Sequence, residues 1–265
     1  MVRIVYRQGW ESYFGRYGLN TFEDFYYHNA DLKVLNVSKR YVNKVSFGEG
    51  TNCKTFFIKR FAYCHLKDII LSISNFKRIR SQSESEYINA NFLVEKGFST
   101  YLPVCFGEQK KFGIEKRSFV ITEKLDGESL SGFVRRNVGQ IENSEKEKII
   151  RAVGRTIRKI HDCNISLPDL YIWHLFLTKK SDDYEIAVID LHRMKYNVTN
   201  TDEKIKNLGR LDYSLLDKYF DENLRRVLIE AYDPENCDSI FSQVRSYSAF
   251  LFRKDPDIKE YSLSQ

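Results

Sequence analysis

Two aspartates flank an apolar stretch of the chain, at positions where their carboxylates could take part in a reaction or bind a metal ion. Asp169 directly precedes the segment LYIWHLFL, and Asp190 ends the strand-like segment EIAVI. A carboxylate at the end of a strand points out of the sheet, where it can bind a metal ion. A carboxylate just ahead of a buried run can accept a proton from a hydroxyl group. Between Leu170 and Leu177 lies one histidine, His174.

A lysine and a glutamate occupy apolar faces earlier in the chain. Lys59 lies in the segment FFIKRF, where aromatic residues share its face of a predicted strand. It is either an edge residue that reaches solvent or a cation that is held in a cleft. Glu86 is in line with Ala90 and Leu93 on a predicted helix, so it is either a buried carboxylate or an edge residue that bends to water. A buried carboxylate requires a cation, and Lys59 is the nearest candidate in the sequence.

In chain order, these four charged residues match the groups that protein-kinase-like enzymes use for phosphoryl transfer. Lys59 would hold nucleotide phosphates, and Glu86 would orient this lysine. Asp169 would position the acceptor hydroxyl, and Asp190 would bind Mg²⁺. The alternative is that the four residues are unrelated, but their common order favours the phosphoryl-transfer interpretation.

The first half of the chain reads as strands with one helix between them. Short β-rich runs within 32–61 predict an antiparallel meander, with a turn at GEGTN. A helix is predicted over 81–96, because Gly97 suits the position after a helix end. Two further strands follow, in YLPVCFGE and RSFVITEKL.

The best-defined helix of the second half is predicted over 144–161. Ser144 and Glu147 form a predicted capping box, and an apolar stripe of period 3.6 follows them. The segment KIHDCN at the helix end resembles a catalytic motif. Its aspartate, Asp162, has no polar residue five positions later, so Asp169 is the better candidate for the catalytic carboxylate.

The order of the elements predicts an α+β fold with two lobes. Strands dominate early, and helical patterns dominate after the segment VIDLHR. We expect a small antiparallel β lobe with one helix over 1–124. A larger, mainly helical lobe with the catalytic and metal segments is expected over 125–265. The boundary is predicted near Glu123–Ser129.

The composition is that of an ordinary globular protein. Of its 265 residues, 42% are hydrophobic and 29% are charged. The five cysteines are scattered and never form a C-x-x-C motif, which favours reduced thiols in a cytosol over disulfides or structural zinc. No apolar stretch approaches the roughly 18 residues of a membrane span, and no signal peptide is expected. The formal charge of +6 suggests an anionic partner, such as a phosphosugar, a nucleotide, an acidic lipid or RNA.

The segments DLYIWHLFL and VIDLHR resemble the signature of the lipopolysaccharide core kinases, the Kdo/WaaP family, and in particular of its heptose kinases. The resemblance spans roughly 21–232 and includes FFIKRF, EYINANFLVEKGFSTYLPV and, at the hinge, FVITEKLDGESL. It implies a protein-kinase-like bilobal fold and ATP-dependent phosphorylation of an inner-core sugar of lipid A–core oligosaccharide. Heptose is the favoured acceptor sugar. The implied location is cytoplasmic and peripheral to the inner membrane. No nucleic-acid partner is expected.

The resemblance also assigns roles to individual residues. Asp169 is implied to be the catalytic residue, and Asp190 is implied to be the Mg²⁺ ligand. The residues implied to contact the nucleotide are Lys59, Glu86, Glu123, Lys39 and His174.

Two segments depart from the family pattern. The usual His-Arg pair before the catalytic aspartate is replaced by Leu167-Pro168, which removes an orienting device. The segment NVSKRYV stands where a glycine-rich phosphate loop is usual. Because its backbone cannot approach phosphate as freely, we expect Ser38, Lys39 or Arg40 to contact the phosphates instead.

Two further side chains have alternative interpretations. His174 stands where protein kinases have a metal-binding Asn, but Mg²⁺ prefers oxygen ligands. It is therefore expected to contact phosphate or the Asp169 carboxylate, or else to be a hydrogen-bonded core histidine. Arg193 is expected to face an anionic acceptor, or else to be structural through a carboxylate such as Asp212.

Other functions and surfaces remain open at this point. The chain can be a kinase of another acceptor, such as a protein or a small metabolite, or a pseudokinase that binds nucleotide without transferring phosphate. The aromatic and charged segments 9–27 and 245–254 can touch lipid headgroups. Packing of these segments against the lobes is the favoured interpretation.

Overall fold

The chain divides into two compact units. The first unit comprises Met1–Leu125 together with Leu191–Arg193, and the second comprises Asp126–Asp190 and continues from Met194. The first is built on an antiparallel sheet and the second is mainly helical, so the predicted α+β class is confirmed. The computed structural model describes residues 1–28, 32–37, 40–63, 66–76, 78–137 and 140–256.

The first unit contains one sheet of six antiparallel strands among its described residues, in the order β1-β5-β6-β4-β3-β2. The strands predicted within 32–61 form its β2-β3-β4 edge as an antiparallel meander. Its elements are β1 (Val2–Tyr6), α1 (Trp10–Gly15), α2 (Phe22–Tyr26), β2 (Leu32–Val37), β3 (Arg40–Phe47), β4 (Lys54–Ala62), α3 (Leu66–Phe76), α4 (Gln82–Glu95), β5 (Pro103–Lys111) and β6 (Ile114–Glu123).

The aromatic N-terminal segment packs into the core of the first unit. Phe14 of α1 and Phe25 of α2 are fully buried, in one cluster with Phe56 and Ile58 of β4. Burial of each phenylalanine side chain contributes about 1.5–3 kcal/mol. The buried guanidinium of Arg60 donates to the backbone oxygen of Phe25, which ties α2 to the sheet. The packing interpretation of 9–27 therefore holds for these aromatic residues.

Helix α4 carries buried polar side chains where an amphipathic helix would carry apolar ones. Ser81 caps it by accepting a hydrogen bond from the backbone of Glu84. Glu84 in the first turn is only 3% exposed. Its carboxylate lies 3.1 Å from Arg3 and 2.7 Å from Arg78, so ion pairs compensate its burial.

The second unit combines a small antiparallel sheet, in the order β7-β8-β9, with helices. The strand-like segment EIAVI before Asp190 lies largely in β9, which pairs antiparallel with β8 from Leu175 with Val188 to Lys180 with Asp183. Its elements are β7 (Glu128–Ser129), α5 (Leu130–Arg136), α6 (Asn143–Asp162), β8 (Leu175–Lys180), β9 (Asp183–Val188), α7 (Thr201–Ser214), α8 (Glu222–Tyr232) and α9 (Cys237–Lys254).

Helix α6 confirms the predicted apolar stripe but not the predicted capping box. The residues of this stripe are all buried, and Gly154 beside them lets α8 approach closely, because a Cβ there would lie 2.5 Å from the Leu228 carbonyl oxygen. The helix begins at Asn143, one residue before Ser144, and its N-cap is Glu142. The Ser144 hydroxyl donates to the Glu142 carboxylate, so it does not cap the helix.

The C-terminal aromatic segment lies in α9, which packs against α7. Val244 and Ser248 are buried, whereas Phe250 is 49% exposed. Among the helices of the described residues, none is both long enough and apolar enough to cross a membrane.

Candidate active site

Lys59 and Glu86 form a largely buried ion pair in the first unit. The Lys59 Nζ lies 2.8 Å from the Glu86 Oε2, and their side chains are 15% and 3% exposed. The hydroxyl of Tyr101 donates to the other carboxylate oxygen of Glu86 at 2.6 Å. The predicted pairing is therefore present, and neither side chain reaches out to water as an edge residue would. Removing one partner of such a pair is costly, because it leaves the other charge buried.

The sheet fixes the position of Lys59. Lys59 lies on β4 opposite Val42 of β3 and Val120 of β6, so ladders on both sides hold its backbone. Its Nζ lies 5.3 Å from the ring centroid of Phe61, within cation–π range. The lysine is thus a positioned cation, as phosphate binding requires.

The segment that directly follows Asp190 in the chain is held by α3 and α4. The side-chain amide of Asn89 on α4 donates to the Leu191 backbone oxygen at 2.6 Å. The Arg193 Nε lies 2.9 Å from an Asp68 carboxylate oxygen on α3. Arg193 is therefore anchored within the first unit, as its structural interpretation required. Its carboxylate partner is Asp68, not Asp212.

His174 contacts the Asp169 backbone and approaches the Asp190 carboxylate in the second unit. The His174 Nδ1 lies 2.7 Å from the backbone oxygen of Asp169, and its Nε2 lies 3.5 Å from the Asp190 carboxylate. The His174 and Asp190 side chains are 18% and 17% exposed, so His174 is not a fully buried core histidine. Its measured contact with Asp169 is to the backbone carbonyl.

This geometry constrains the chemistry of His174. A carbonyl oxygen only accepts hydrogen bonds, so Nδ1 carries the proton and donates it. Nε2 therefore faces the Asp190 carboxylate either with a lone pair or with a second proton. Asp190 itself has a φ of 62°, in the left-handed region that an aspartate tolerates better than most residues. Its carboxylate suits Mg²⁺, whereas the imidazole does not.

A buried hydrogen-bond network anchors the loop ahead of Asp169. The Asn207 side-chain oxygen accepts from the Leu167 backbone at 2.6 Å and from the His161 Nε2 at 3.2 Å. The Tyr232 hydroxyl, whose pKa burial raises to about 12, donates to the His161 Nδ1 at 2.9 Å. Burial lowers the pKa of His161 to about 4, which keeps its ring neutral as this network requires. The network positions the loop where Leu167-Pro168 replaces the usual His-Arg.

The competing carboxylate, Asp162, lies on the surface at the end of α6. It pairs with Arg158 one helical turn earlier at 2.9 Å, and its side chain is 57% exposed. This is an ordinary surface pair, which contributes little to stability. The structure thus gives Asp162 a surface role and leaves Asp169 as the candidate.

The structure describes one of the two remaining predicted nucleotide contacts, Glu123. The Glu123 carboxylate lies 3.2 Å from the Lys54 Nζ, and its backbone amide donates to the Leu102 oxygen. Lys39 and its neighbour Ser38 lie outside the described residues.

Comparison with known proteins identifies the family. The sequence pattern of the lipopolysaccharide kinase (Kdo/WaaP) family matches residues 38–232, well over half of the chain. The chain belongs to this family. The family that the sequence resembles is thereby confirmed.

Family members with established names align over part of their length. The lipopolysaccharide core heptose(I) kinase WaaP of Escherichia coli strain K12 is 30% identical over an alignment of 172 residues, which covers 62% of this chain and 65% of that protein. The kinase of the same name from Pseudomonas aeruginosa is 32% identical over an alignment of 186 residues, which covers 60% of this chain and 69% of that protein. The chain thus spans slightly less than two thirds of the E. coli relative.

A solved structure matches over nearly the whole chain. WaaP in complex with acyl carrier protein has a TM-score of 0.69 and 20% identity, and the match covers 97% of this chain and 99% of that one. At this identity the likeness shows the fold. The protein-kinase-like α+β fold predicted from the sequence is therefore confirmed.

Proposed function

We propose that this protein is an ATP-dependent kinase that phosphorylates an inner-core sugar of lipopolysaccharide, with heptose as the acceptor. The observation that carries the proposal is the buried pair of Lys59 and Glu86. A lysine fixed in this way by a helix glutamate is the phosphate-binding device of protein-kinase-like enzymes. Names of family relatives support lipopolysaccharide core as the acceptor class.

The reaction assigns a separate task to each carboxylate. A sugar hydroxyl oxygen attacks the γ-phosphorus of ATP, the bond from that phosphorus to the bridging oxygen breaks, and ADP leaves. Asp169 orients the hydroxyl and accepts its proton. Lys59 holds the phosphates, and Glu86 keeps its ammonium group in place.

Asp190 would hold Mg²⁺, which neutralises phosphate charge and orients the phosphates when it is bound. Its carboxylate, two residues after the end of β9, supplies the oxygen donor that this ion prefers. The Nε2 of His174 lies 3.5 Å from this carboxylate, and His174 remains a proposed phosphate contact. Glu123 and Lys39 remain proposed nucleotide contacts.

The proposed setting of the reaction is the cytoplasmic face of the inner membrane, with the protein bound peripherally. The formal charge of +6 supports attraction to an anionic, lipid-linked acceptor and to anionic headgroups. Sedimentation with anionic and with neutral vesicles tests this location. Equal recovery with both would count against it.

Transfer of label from γ-labelled ATP to purified core lipopolysaccharide tests the kinase proposal. We expect label in acceptors that contain the inner-core heptose and none in acceptors truncated before it. Label in a protein or a small metabolite instead would make the chain a kinase of another acceptor. Binding of Mg·ATP without any transfer would make it a pseudokinase.

A further inference from the structure

Two aromatic rings form a flat stack in the loop that follows Asp169. The rings of Tyr171 and Trp173 lie 4.7 Å apart between centroids, with only 6° between their planes. Both side chains are half-buried, whereas Ile172 between them is buried. The loop thus directs its apolar anchor inward and keeps part of both aromatic side chains accessible to solvent.

This stack is held rigidly beside the reactive groups of the second unit. The backbone of Ile172 donates to the Ser214 hydroxyl at 2.9 Å, which fixes the loop between the two rings. The His174 ring lies edge-on to both, at 5.9 Å from each centroid and at 74° to Tyr171 and 78° to Trp173. His174 in turn contacts the Asp169 backbone and approaches Asp190. One side chain, His174, therefore lies between the stack and both the Asp169 backbone and the Asp190 carboxylate.

We propose that the Tyr171–Trp173 stack forms the acceptor-binding platform, with the C–H face of the sugar ring lying against the outer face of Trp173, which Tyr171 backs. This inference rests on the proposed sugar-kinase function. A pyranose ring presents several C–H groups on one face, and these carry partial positive charge. The face of an aromatic ring is negative, so the two surfaces attract while apolar area is buried. A rigid platform also orients the acceptor hydroxyl toward Asp169 at little entropic cost.

The alternative is that the rings serve only to hold His174 in place. The two roles affect different quantities. A structural role would lower the melting temperature or kcat, whereas a platform changes the KM for the sugar acceptor alone. Contact with the adenine base would instead change the KM for ATP.

The kinetic test uses Trp173→Ala, with Trp173→Phe as its conservative partner and Phe250→Ala on α9 as an exposed aromatic control. We expect Trp173→Ala to raise the KM for core lipopolysaccharide about tenfold, at an unchanged KM for ATP and an unchanged melting temperature. Trp173→Phe should restore most of the affinity, and Phe250→Ala should resemble wild type. A rise in the KM for ATP, or a fall in kcat and melting temperature at an unchanged KM for the acceptor, would overturn the platform.

A binding test separates this inference from the kinase proposal. The chain has two tryptophans, so Trp10→Phe leaves Trp173 as the only indole. Titration of this variant with a deacylated, heptose-containing core oligosaccharide, without ATP, should change the fluorescence of Trp173 and saturate. Saturable binding without phosphoryl transfer by wild type would keep the platform and refute the kinase. Transfer by this variant with an unchanged Trp173 signal would refute the platform and keep the kinase.

Discussion

Asp169 is the residue whose loss should stop catalysis most selectively. Asp169→Asn keeps the size of the side chain and removes the proton acceptor. We expect phosphoryl transfer to fall by about two to four orders of magnitude, while Mg·ATP affinity and the melting temperature stay close to wild type. Label transfer, calorimetry and a thermal melt measure the three quantities. The matched control is Asp162→Asn at the exposed end of α6. Loss of activity in this control, but not in Asp169→Asn, would show that Asp162 and not Asp169 is the catalytic carboxylate.

The buried pair of the first unit allows stability and phosphate binding to be separated. Lys59→Met leaves the Glu86 carboxylate buried without its cation, so it should destabilise the fold by about 3–5 kcal/mol. The double variant Lys59→Met/Glu86→Gln removes both charges and should recover much of that stability. It should not recover ATP affinity, because the phosphate-binding cation is gone. Denaturant melts and ATP calorimetry decide, with the exposed Lys111→Ala as a control. Wild-type ATP affinity in the double variant would refute the role of Lys59.

Residue-level prediction succeeded where a charge interrupts an apolar pattern, and failed where partners are distant. Lys59 and Glu86 were recognisable because each lies among apolar neighbours. Arg193 was recognisable as charged, but its partner Asp68 lies 125 positions away and leaves no local sign. The anchoring of Leu167 by Asn207, 40 positions later, is hidden for the same reason. Side-chain hydrogen bonds of this kind depend on the tertiary fold alone.

Helix α4 serves two positions of the proposed site from one element. Glu86 faces Lys59, and Asn89 three residues later donates to the oxygen of Leu191, which follows Asp190 directly. Residues three apart lie on the same side of a helix, so a single placement of α4 satisfies both contacts. The position of the helix therefore bears on phosphate binding and on the start of the metal segment together.

Asn89→Ala tests this second contact. It removes a buried hydrogen-bond donor, so unfolding should become easier by about 1–3 kcal/mol. Because the Leu191 segment loses an anchor, the Mg²⁺ concentration for half-maximal activity should rise. Asn91→Ala on the same helix is the control, because the Asn91 amide donates to the Tyr87 oxygen and accepts from Arg7, both away from the Leu191 segment. A lower melting temperature with unchanged Mg²⁺ dependence would limit Asn89 to a role in stability.

Element-level prediction worked where one periodicity dominates. The stripe of α6 was correct because its residues are apolar and buried. Its capping box was wrong, since a four-residue match cannot show that the helix begins at Asn143. Helices α1 and α2 were missed because they are short, and their aromatic residues resemble a membrane-contact segment as much as a core. Here the tertiary contacts of Phe14 and Phe25 decide the structure.

At the scale of the whole molecule, His161 should make stability depend on pH. Burial lowers its pKa from 6.5 to about 4 in the folded state. Between these values the unfolded chain binds a proton that the folded chain does not, so stability rises with pH. The contribution is present above pH 6.5 and is lost as the pH falls towards 4, by up to about 3 kcal/mol.

Melting curves of wild type and His161→Gln across this pH range measure the contribution of His161. The variant should be less stable at neutral pH, because the network with Asn207 and Tyr232 is altered. Its stability should also fall less steeply on acidification. Parallel curves for the two proteins would show that His161 does not govern acid sensitivity.

The mass of a defined acceptor after reaction tests the assignment of this chain as a core-sugar kinase most directly. Heptose-containing core lipopolysaccharide without phosphate is incubated with ATP, Mg²⁺ and either wild type or Asp169→Asn, and is then analysed by mass spectrometry. We expect wild type to add one phosphate to a heptose, Asp169→Asn to add none, and acceptors truncated before the heptose to stay unchanged. Unchanged mass in every acceptor, from wild-type protein that still binds Mg·ATP, would contradict the assignment.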